Sequence, residues 1–311
     1  MTYEELLTRE ALADERFVVM TAENRALVRN IYSHLGSRFI DTGITEQTMI
    51  GAAAGLALRG RIPVVHALAS FLTMRAFEFV RTDAGIPNLP LKLSSFIPGF
   101  LSDGNGPTHQ AIEDIALMRG IPNMTVFAPA DEDDLLKMLP DIWNYPAPSY
   151  VRINTRKTDY EHAPFEIGKA EIVAEGGDVT ILTYGLLFEQ TLEAVKILKD
   201  EGLSIGLVNI RSLKPVDEEA ILKAAESSMV VTVEDHFLTG GLYTIVAETL
   251  LKHRTTVQVV PFALNEKWFK PSLLPQVLQH EGFTGKQIAE RILGYTTKAV
   301  QPKIAAQEFS E

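Results

Sequence analysis

The chain reads as an α/β protein with two consecutive open, mainly parallel sheets, and three observations predict this. Short runs rich in β-branched residues alternate with helical patterns of roughly ten to fifteen residues, the rhythm of parallel sheets with crossover helices. The series of runs occurs twice, on either side of a mostly polar stretch without period, residues 155–164. The composition, 46% hydrophobic and 22% charged over 311 residues, is that of a globular chain with room for two domains.

The first series of strands is expected at Phe17–Met20, Ile62–His66, Leu91–Ser95, Met124–Ala128 and Tyr150–Ile153. Each is a short apolar, mostly β-branched run of the kind that fills a sheet buried on both faces. The second series is expected at Val179–Tyr184, Ser204–Asn209, Met229–Val233 and Thr256–Val260. Helical periodicity appears at Asp131–Trp143, Leu187–Lys199, Asp217–Glu226 and Gly241–His253. The acids Asp131 to Asp134 follow Pro129-Ala130 and suit a helix N-terminus better than a metal site, because acids there complement the helix dipole. Gly240-Gly241 reads as a tight strand-to-helix turn. The boundary is placed near residue 160, giving domains 1–160 and 161–311, and the last ten or so residues read as a frayed tail.

Net charge is −11, which disfavours nucleic acid and anionic membrane surfaces as partners. No run of eighteen apolar residues is present, the opening Met1-Thr2-Tyr3-Glu4-Glu5 is not a signal sequence, and a cytoplasmic location is the simplest expectation. Cysteine is absent, which removes disulfides, thiolate catalysis and cysteine-ligated metals. There is no Gly-x-x-x-x-Gly-Lys phosphate loop, no Gly-x-Gly-x-x-Gly after a strand and no Gly-x-Ser-x-Gly elbow, and no metal ligands are assigned.

Ligands in open α/β sheets gather at the carboxyl ends of strands. Two segments stand out there: His66 to Leu72, and the long loop Phe96 to Gln110, with three glycines and two prolines. A third feature is Glu46, in the first turn of a helix that continues Thr48-Met49-Ile50-Gly51-Ala52-Ala53-Ala54-Gly55-Leu56-Ala57-Leu58. A helix apolar on every side belongs in a core or an interface. A carboxylate there either caps the helix or is bound by something, since an unpaired buried charge is costly. His109, at a loop-to-helix junction, is either a hydrogen-bonded structural residue or a site residue, and His66 is equally open.

The order of several motifs resembles transketolase. They are Gly43-Ile44-Thr45-Glu46-Gln47, Asn105-Gly106-Pro107-Thr108-His109-Gln110, Ile115-Ala116-Leu117-Met118-Arg119, Pro122-Asn123-Met124-Thr125-Val126, Phe165-Glu166-Ile167-Gly168-Lys169-Ala170, Thr232-Val233-Glu234-Asp235-His236 and Gly240-Gly241. The resemblance runs from about residue 15 to about residue 295 and corresponds to the C-terminal half of a full-length transketolase. It implies a thiamine diphosphate pyrimidine-binding fold followed by a transketolase C-terminal-like fold. The family's Gly-Asp-Gly motif and later asparagine, which hold the diphosphate and Mg²⁺, do not occur here. The resemblance therefore implies one subunit of a split transketolase, with a separate N-terminal chain binding the diphosphate, in an α₂β₂ assembly.

On this resemblance Glu46 is the glutamate that hydrogen-bonds N1′ of the aminopyrimidine and promotes the tautomer that deprotonates the thiazolium C2. Phe71 matches an aromatic that packs on the pyrimidine, and Leu68 and Met74 fall where aromatics are common. For Met74 a plain core role is preferred. His109 matches the histidine near the reacting oxygens. Thr21 falls where a phosphate-binding serine is common, with Arg25 close behind. Ile97 stands in place of a histidine, Asn105 in place of an aspartate that reads a donor hydroxyl, and Thr155 in place of a phosphate-gripping arginine. Arg156 is one place late, and Arg152 shares a strand face with Asn154. Such departures imply an unusual sugar or sugar phosphate: non-phosphorylated, sulfonated, branched, or another keto compound. The neighbouring possibilities are a deoxyxylulose-phosphate-synthase-like enzyme, a 2-oxo acid dehydrogenase β-like subunit and a non-catalytic paralogue.

Overall fold

The computed structural model describes residues 1–299, so the expected tail falls outside the described residues. The strands are β1 (Phe17–Thr21), β2 (Phe39–Asp41), β3 (Ile62–Leu68), β4 (Lys92–Phe96), β5 (Thr125–Phe127), β6 (Ser149–Arg152), β7 (Glu171–Ala174), β8 (Val179–Thr183), β9 (Ile205–Asn209), β10 (Ser212–Lys214), β11 (Met229–Phe237) and β12 (Gln258–Leu264). They form a seven-stranded sheet in the order β10-β5-β6-β4-β3-β1-β2 and a five-stranded sheet in the order β12-β11-β8-β9-β7. All pairings are parallel except β10 against β5 and β7 against β9. This is the α/β class with two mainly parallel sheets that the alternating pattern predicts.

All nine expected strands and the four expected helices form, with ends shifted by a few residues. Three strands and several helices lie beyond the expectation. β2 and β10 are only three residues long, too short to show a period. β10 also leaves its sequence neighbours and pairs with the first sheet, through Ser212 opposite Phe127. The helix Tyr3–Ala13 opens on a capping box: the Thr2 hydroxyl accepts from Glu5 N at 3.3 Å, and Glu5 accepts from Thr2 N at 2.8 Å. The helices Leu274–Glu281 and Gly285–Ala299 close the second half.

One apolar cluster runs from Met20, Met49, Val65 and Leu93 through Ala128 to Leu182, Ile210 and Leu242, so the two sheets share a core. Among the described residues no helix is long and apolar enough to cross a membrane.

The adjacency of β4, β3, β1 and β2 decides where chemistry can occur. These strands are parallel, so their carboxyl ends lie along one rim. That rim receives the loop after Thr21, the turn before Glu46, the segment after Leu68 and the loop after Phe96.

Candidate active site

Glu46 is the first residue of the helix Glu46–Leu58 and is 2% exposed. The helix buries Met49, Ile50, Ala53, Ala54 and Ala57, while Gln47, Thr48, Ala52, Gly55 and Leu58 face outward. It is therefore apolar all round but covered on one side only. The buried side pulls the Glu46 carboxyl group below the surface at the rim. Arg75 partners it there: Nη1 donates to Oε1 at 3.2 Å and to Oε2 at 3.1 Å. The same guanidinium lies over the Phe71 ring, 3.9 Å from its centroid.

Local backbone geometry creates this arrangement. After β3 the chain enters a π-helical turn, Phe71–Arg75, closed by Ala76 N donating to Phe71 O at 3.0 Å. Single π-turns are uncommon and concentrate at functional sites. The widened turn lets Arg75 reach back over Phe71 toward Glu46. Arg75 carries no local signal for this role, because Glu46 lies 29 residues away on another element.

An open cleft of about 420 Å³ lies beside Glu46. Leu68, Phe71 and Ile44 form its apolar wall, and Asn24, Arg25 and Arg29 are among its polar residues. His109 approaches Phe71 with ring centroids 5.2 Å apart, and its Nδ1 is 2.9 Å from the Thr108 hydroxyl. The structure thus gathers Glu46, Leu68, Phe71, His109 and Arg25 at one rim. Met74 is exposed rather than buried in the core.

The remaining predicted residues are placed differently. Thr21 is fully buried and its hydroxyl donates to Asn24 O at 2.7 Å, so it shapes the loop and has no free hydroxyl for a ligand in this conformation. Arg25 is held by Asp41, with Nε 2.7 Å from Oδ2. Ile97 adopts φ +48°, a left-handed backbone uncommon for a β-branched residue. Asn105 is exposed and donates through Nδ2 to Ser102 O at 3.2 Å. Arg156 is exposed; its N–H donates to the Asn154 side chain at 3.1 Å. His66 is buried inside, with Nε2 2.8 Å from Tyr3 Oη and Nδ1 3.1 Å from Met20 O, and burial pushes its pKa down to about 4. It is a structural residue.

Arg152 is no phosphate ligand. It is buried at 3% exposure, with Nε 3.0 Å from Asp114 Oδ2 and Nη1 2.6 Å from Asp235 Oδ1. Asp235 also accepts from Phe100 N at 3.1 Å, and Gln110 donates to Phe269 O at 2.8 Å. Both ends of the long loop are thereby fastened to the second half of the chain. Asp235 lies inside β11, beside the equally buried Glu234.

The rim offers a buried carboxyl group, an aromatic face and an apolar wall. That set fits a flat, basic heteroaromatic ring such as the aminopyrimidine of thiamine. Among the described residues no group of three or more His, Asp or Glu side chains is arranged to hold a metal ion.

Comparison with known proteins places both halves of the chain in one family. Residues 1–160 match the transketolase pyrimidine-binding domain and residues 168–288 the transketolase C-terminal domain. A Methanocaldococcus jannaschii protein described as a transketolase C-terminal section is 38% identical over 82% of this chain and 82% of its own length. The 6-deoxy-6-sulfo-D-fructose transketolase subunit SqwH of Clostridium sp. strain MSTE9 is 37% identical over 80% of this chain and 79% of its own. A 1-deoxy-D-xylulose-5-phosphate synthase of Synechococcus sp. is 36% identical over 92% of this chain but 45% of its own length. Among solved structures, a split-gene transketolase described as an inactive β₄ tetramer superposes with a TM-score of 0.86 at 32% identity, over 95% of this chain and 97% of that one.

Proposed function

Since the chain belongs to the transketolase family, we propose that it is the pyrimidine-binding subunit of a two-chain, thiamine diphosphate-dependent transketolase-type enzyme. The buried Glu46 beside Phe71 carries this reading. Thiamine diphosphate, when bound, supplies the chemistry that cleaves and remakes the ketose carbon–carbon bond. Glu46 holds a proton at N1′ of the aminopyrimidine, and the low-dielectric rim strengthens that hydrogen bond. Phe71 and Leu68 press on the ring and exclude water. His109 donates to substrate oxygens. The diphosphate and Mg²⁺ belong to a partner N-terminal chain, which the high coverage of a split-gene neighbour supports. Two copies of each chain form the working α₂β₂ assembly, which we place in the cytoplasm. The halves meet near residue 160, on either side of the linker.

We further propose that the sugar is not the usual phosphorylated one. Ile97, Asn105 and Thr155 stand where polar and cationic sugar contacts are expected, and Arg152 is committed to Asp114 and Asp235. A site that has lost such contacts discriminates strongly against the substrate that needs them. Arg25 and Arg29 remain as cations lining the cleft, and a relative named for a sulfonated fructose makes a sulfonated sugar the first candidate. The 36% identity to a deoxyxylulose-phosphate synthase keeps pyruvate as a second donor to test.

The experiment measures proton–deuterium exchange at the thiazolium C2 in the two-chain complex. Glu46→Gln is expected to slow exchange by at least about a hundredfold while leaving the far-ultraviolet circular dichroism unchanged. Native exchange in this variant would remove Glu46 from the mechanism. Tight Mg²⁺-dependent binding of thiamine diphosphate by the chain alone would remove the partner. A donor panel of sulfonated, phosphorylated and plain ketoses and pyruvate separates the substrates, since carbon dioxide release from pyruvate marks the synthase type.

A further inference from the structure

Glu46 and Phe71 share one partner, Arg75. One guanidinium nitrogen lies 3.2 and 3.1 Å from the two carboxyl oxygens of Glu46. The guanidinium plane sits 3.9 Å from the centre of the Phe71 ring, the separation of a stacked pair. His109 packs against the same ring at 5.2 Å, tilted by 57°. A planar ring that takes the Glu46 oxygens and the side of Phe71 that Arg75 now covers would displace it.

From this we infer that Arg75 is a displaceable placeholder: it neutralises Glu46 and covers Phe71 until the aminopyrimidine arrives, then swings out into solvent. This inference rests on the assignment of Glu46 and Phe71 to the aminopyrimidine. The burial difference between the two partners supports an exchange. Glu46 is 2% exposed and fixed at the start of its helix, whereas the Arg75 side chain is 42% exposed on a long flexible stem. Arginine remains charged in either position, and its weakly hydrated guanidinium tolerates both the ring face and solvent. The buried carboxylate, by contrast, is costly without a partner. A placeholder keeps the Glu46 carboxylate paired and pre-positioned beside the cleft. It also lowers cofactor affinity, because binding trades one Glu46 partner for another instead of supplying a missing one.

The test compares native chain, Arg75→Met, Glu46→Gln and the double variant. Thiamine diphosphate with Mg²⁺ is titrated calorimetrically into the two-chain complex, and thiamine into this chain by itself. Arg75→Met keeps the stem over Phe71 and removes the charge, leaving Glu46 without its partner. A placeholder predicts that the dissociation constant falls by roughly tenfold in Arg75→Met. In the Glu46→Gln background the same substitution changes affinity by less than about twofold. Unchanged or weaker binding by Arg75→Met overturns the placeholder, weaker binding marking Arg75 as part of the holding site. Should Arg75→Met aggregate, Arg75→Gln carries the same expectation. Failure of the underlying assignment shows separately. In that case Glu46→Gln alone leaves both C2 exchange and affinity at native values, whatever Arg75→Met does.

Discussion

Ile97 carries a backbone that its own side chain resists. A β-branched residue at φ +48° is strained by about 1–2 kcal/mol relative to a residue that tolerates the left-handed region. Strain of this kind persists only where surrounding structure over-determines it, and it clusters at functional loops. The loop after β4 is such a place, since Gly99, two residues on, is held against Asp235 and Arg152 with φ +56°. Ile97→Asn is therefore expected to raise unfolding free energy by up to about 1 kcal/mol in urea titration. A loss of stability instead would show that the packing of the half-buried sec-butyl group outweighs the strain. Glu46 stands at the opposite extreme of legibility. An acid opening an apolar helix can be read from the sequence as a conflict between charge and burial, and the structure places it at 2% exposure on a cleft. Its pairing with Arg75 could not be read, because the two lie 29 residues apart on different elements. Thr21 and Arg152 show the converse limit. Their polar groups suit a ligand on paper, but Thr21 is spent on Asn24 O and Arg152 on two buried aspartates.

At the scale of elements, the loop from Phe96 to Gln110 owes its shape to the second half of the chain. Asp235 accepts from Phe100 N at 3.1 Å and from Arg152 Nη1 at 2.6 Å, and Asp103 accepts from Leu274 N at 3.2 Å. A Cβ on Gly99 would overlap the Asp235 carboxylate, so the approach needs glycine as well as the positive φ. Removing one partner of a buried pair strands the other charge and costs about 3–5 kcal/mol. Asp235→Ala is expected to lose that much stability in urea titration and to speed hydrogen exchange at the Phe100 amide more than at strand amides of β3. Equal acceleration everywhere would mean the aspartate stabilises the whole chain without fastening this loop. Asp235→Asn, which keeps an acceptor for Phe100, should fall between. The loop's length and its glycines and prolines marked it in the sequence. Its fastening was hidden because the contacts join residues 135 apart for Asp235 and Phe100 and 159 apart for Gln110 and Phe269. Where local chemistry suffices, elements are readable: Asp131 caps the helix Glu132–Asn144 by accepting from Asp134 N at 2.9 Å, as the acidic run implied. The capping box of Thr2 and Glu5 rests on equally local chemistry.

The whole molecule is tied together by a charged node at the linker. His162 lies in the polar stretch between the two sheets and is buried at 2% exposure. Its Nδ1 is 2.7 Å from Glu171 Oε2 on β7, and its Nε2 is 3.3 Å from Asp131 Oδ2 at the head of the helix Glu132–Asn144. Arg211 completes the node through Asp134 at 3.1 Å. Burial pulls the imidazole pKa down, but the Asp131 ion pair, the hydrogen bond to Glu171 and the charge of Asp134 outweigh it and lift the pKa from 6.5 to about 9. The sign of the pH effect follows. Between pH 6.5 and about 9 the folded chain keeps a proton that the unfolded chain has released. Folding is then favoured by protonation, so the contribution is fully present below pH 6.5 and is lost as pH rises through about 9. The slope is on the order of 1 kcal/mol per pH unit at most. Unfolding free energies from urea titration at a series of pH values should decline across this window in the native chain. His162→Asn should lower stability at neutral pH and flatten the decline, since no imidazolium remains to lose its proton. A native decline as steep in His162→Asn as in the unaltered chain would place the titrating group elsewhere. A node that spans both sheets also predicts that they unfold in one transition at neutral pH. Separation into two transitions on the alkaline side of about pH 9 is the outcome expected once the imidazolium is gone.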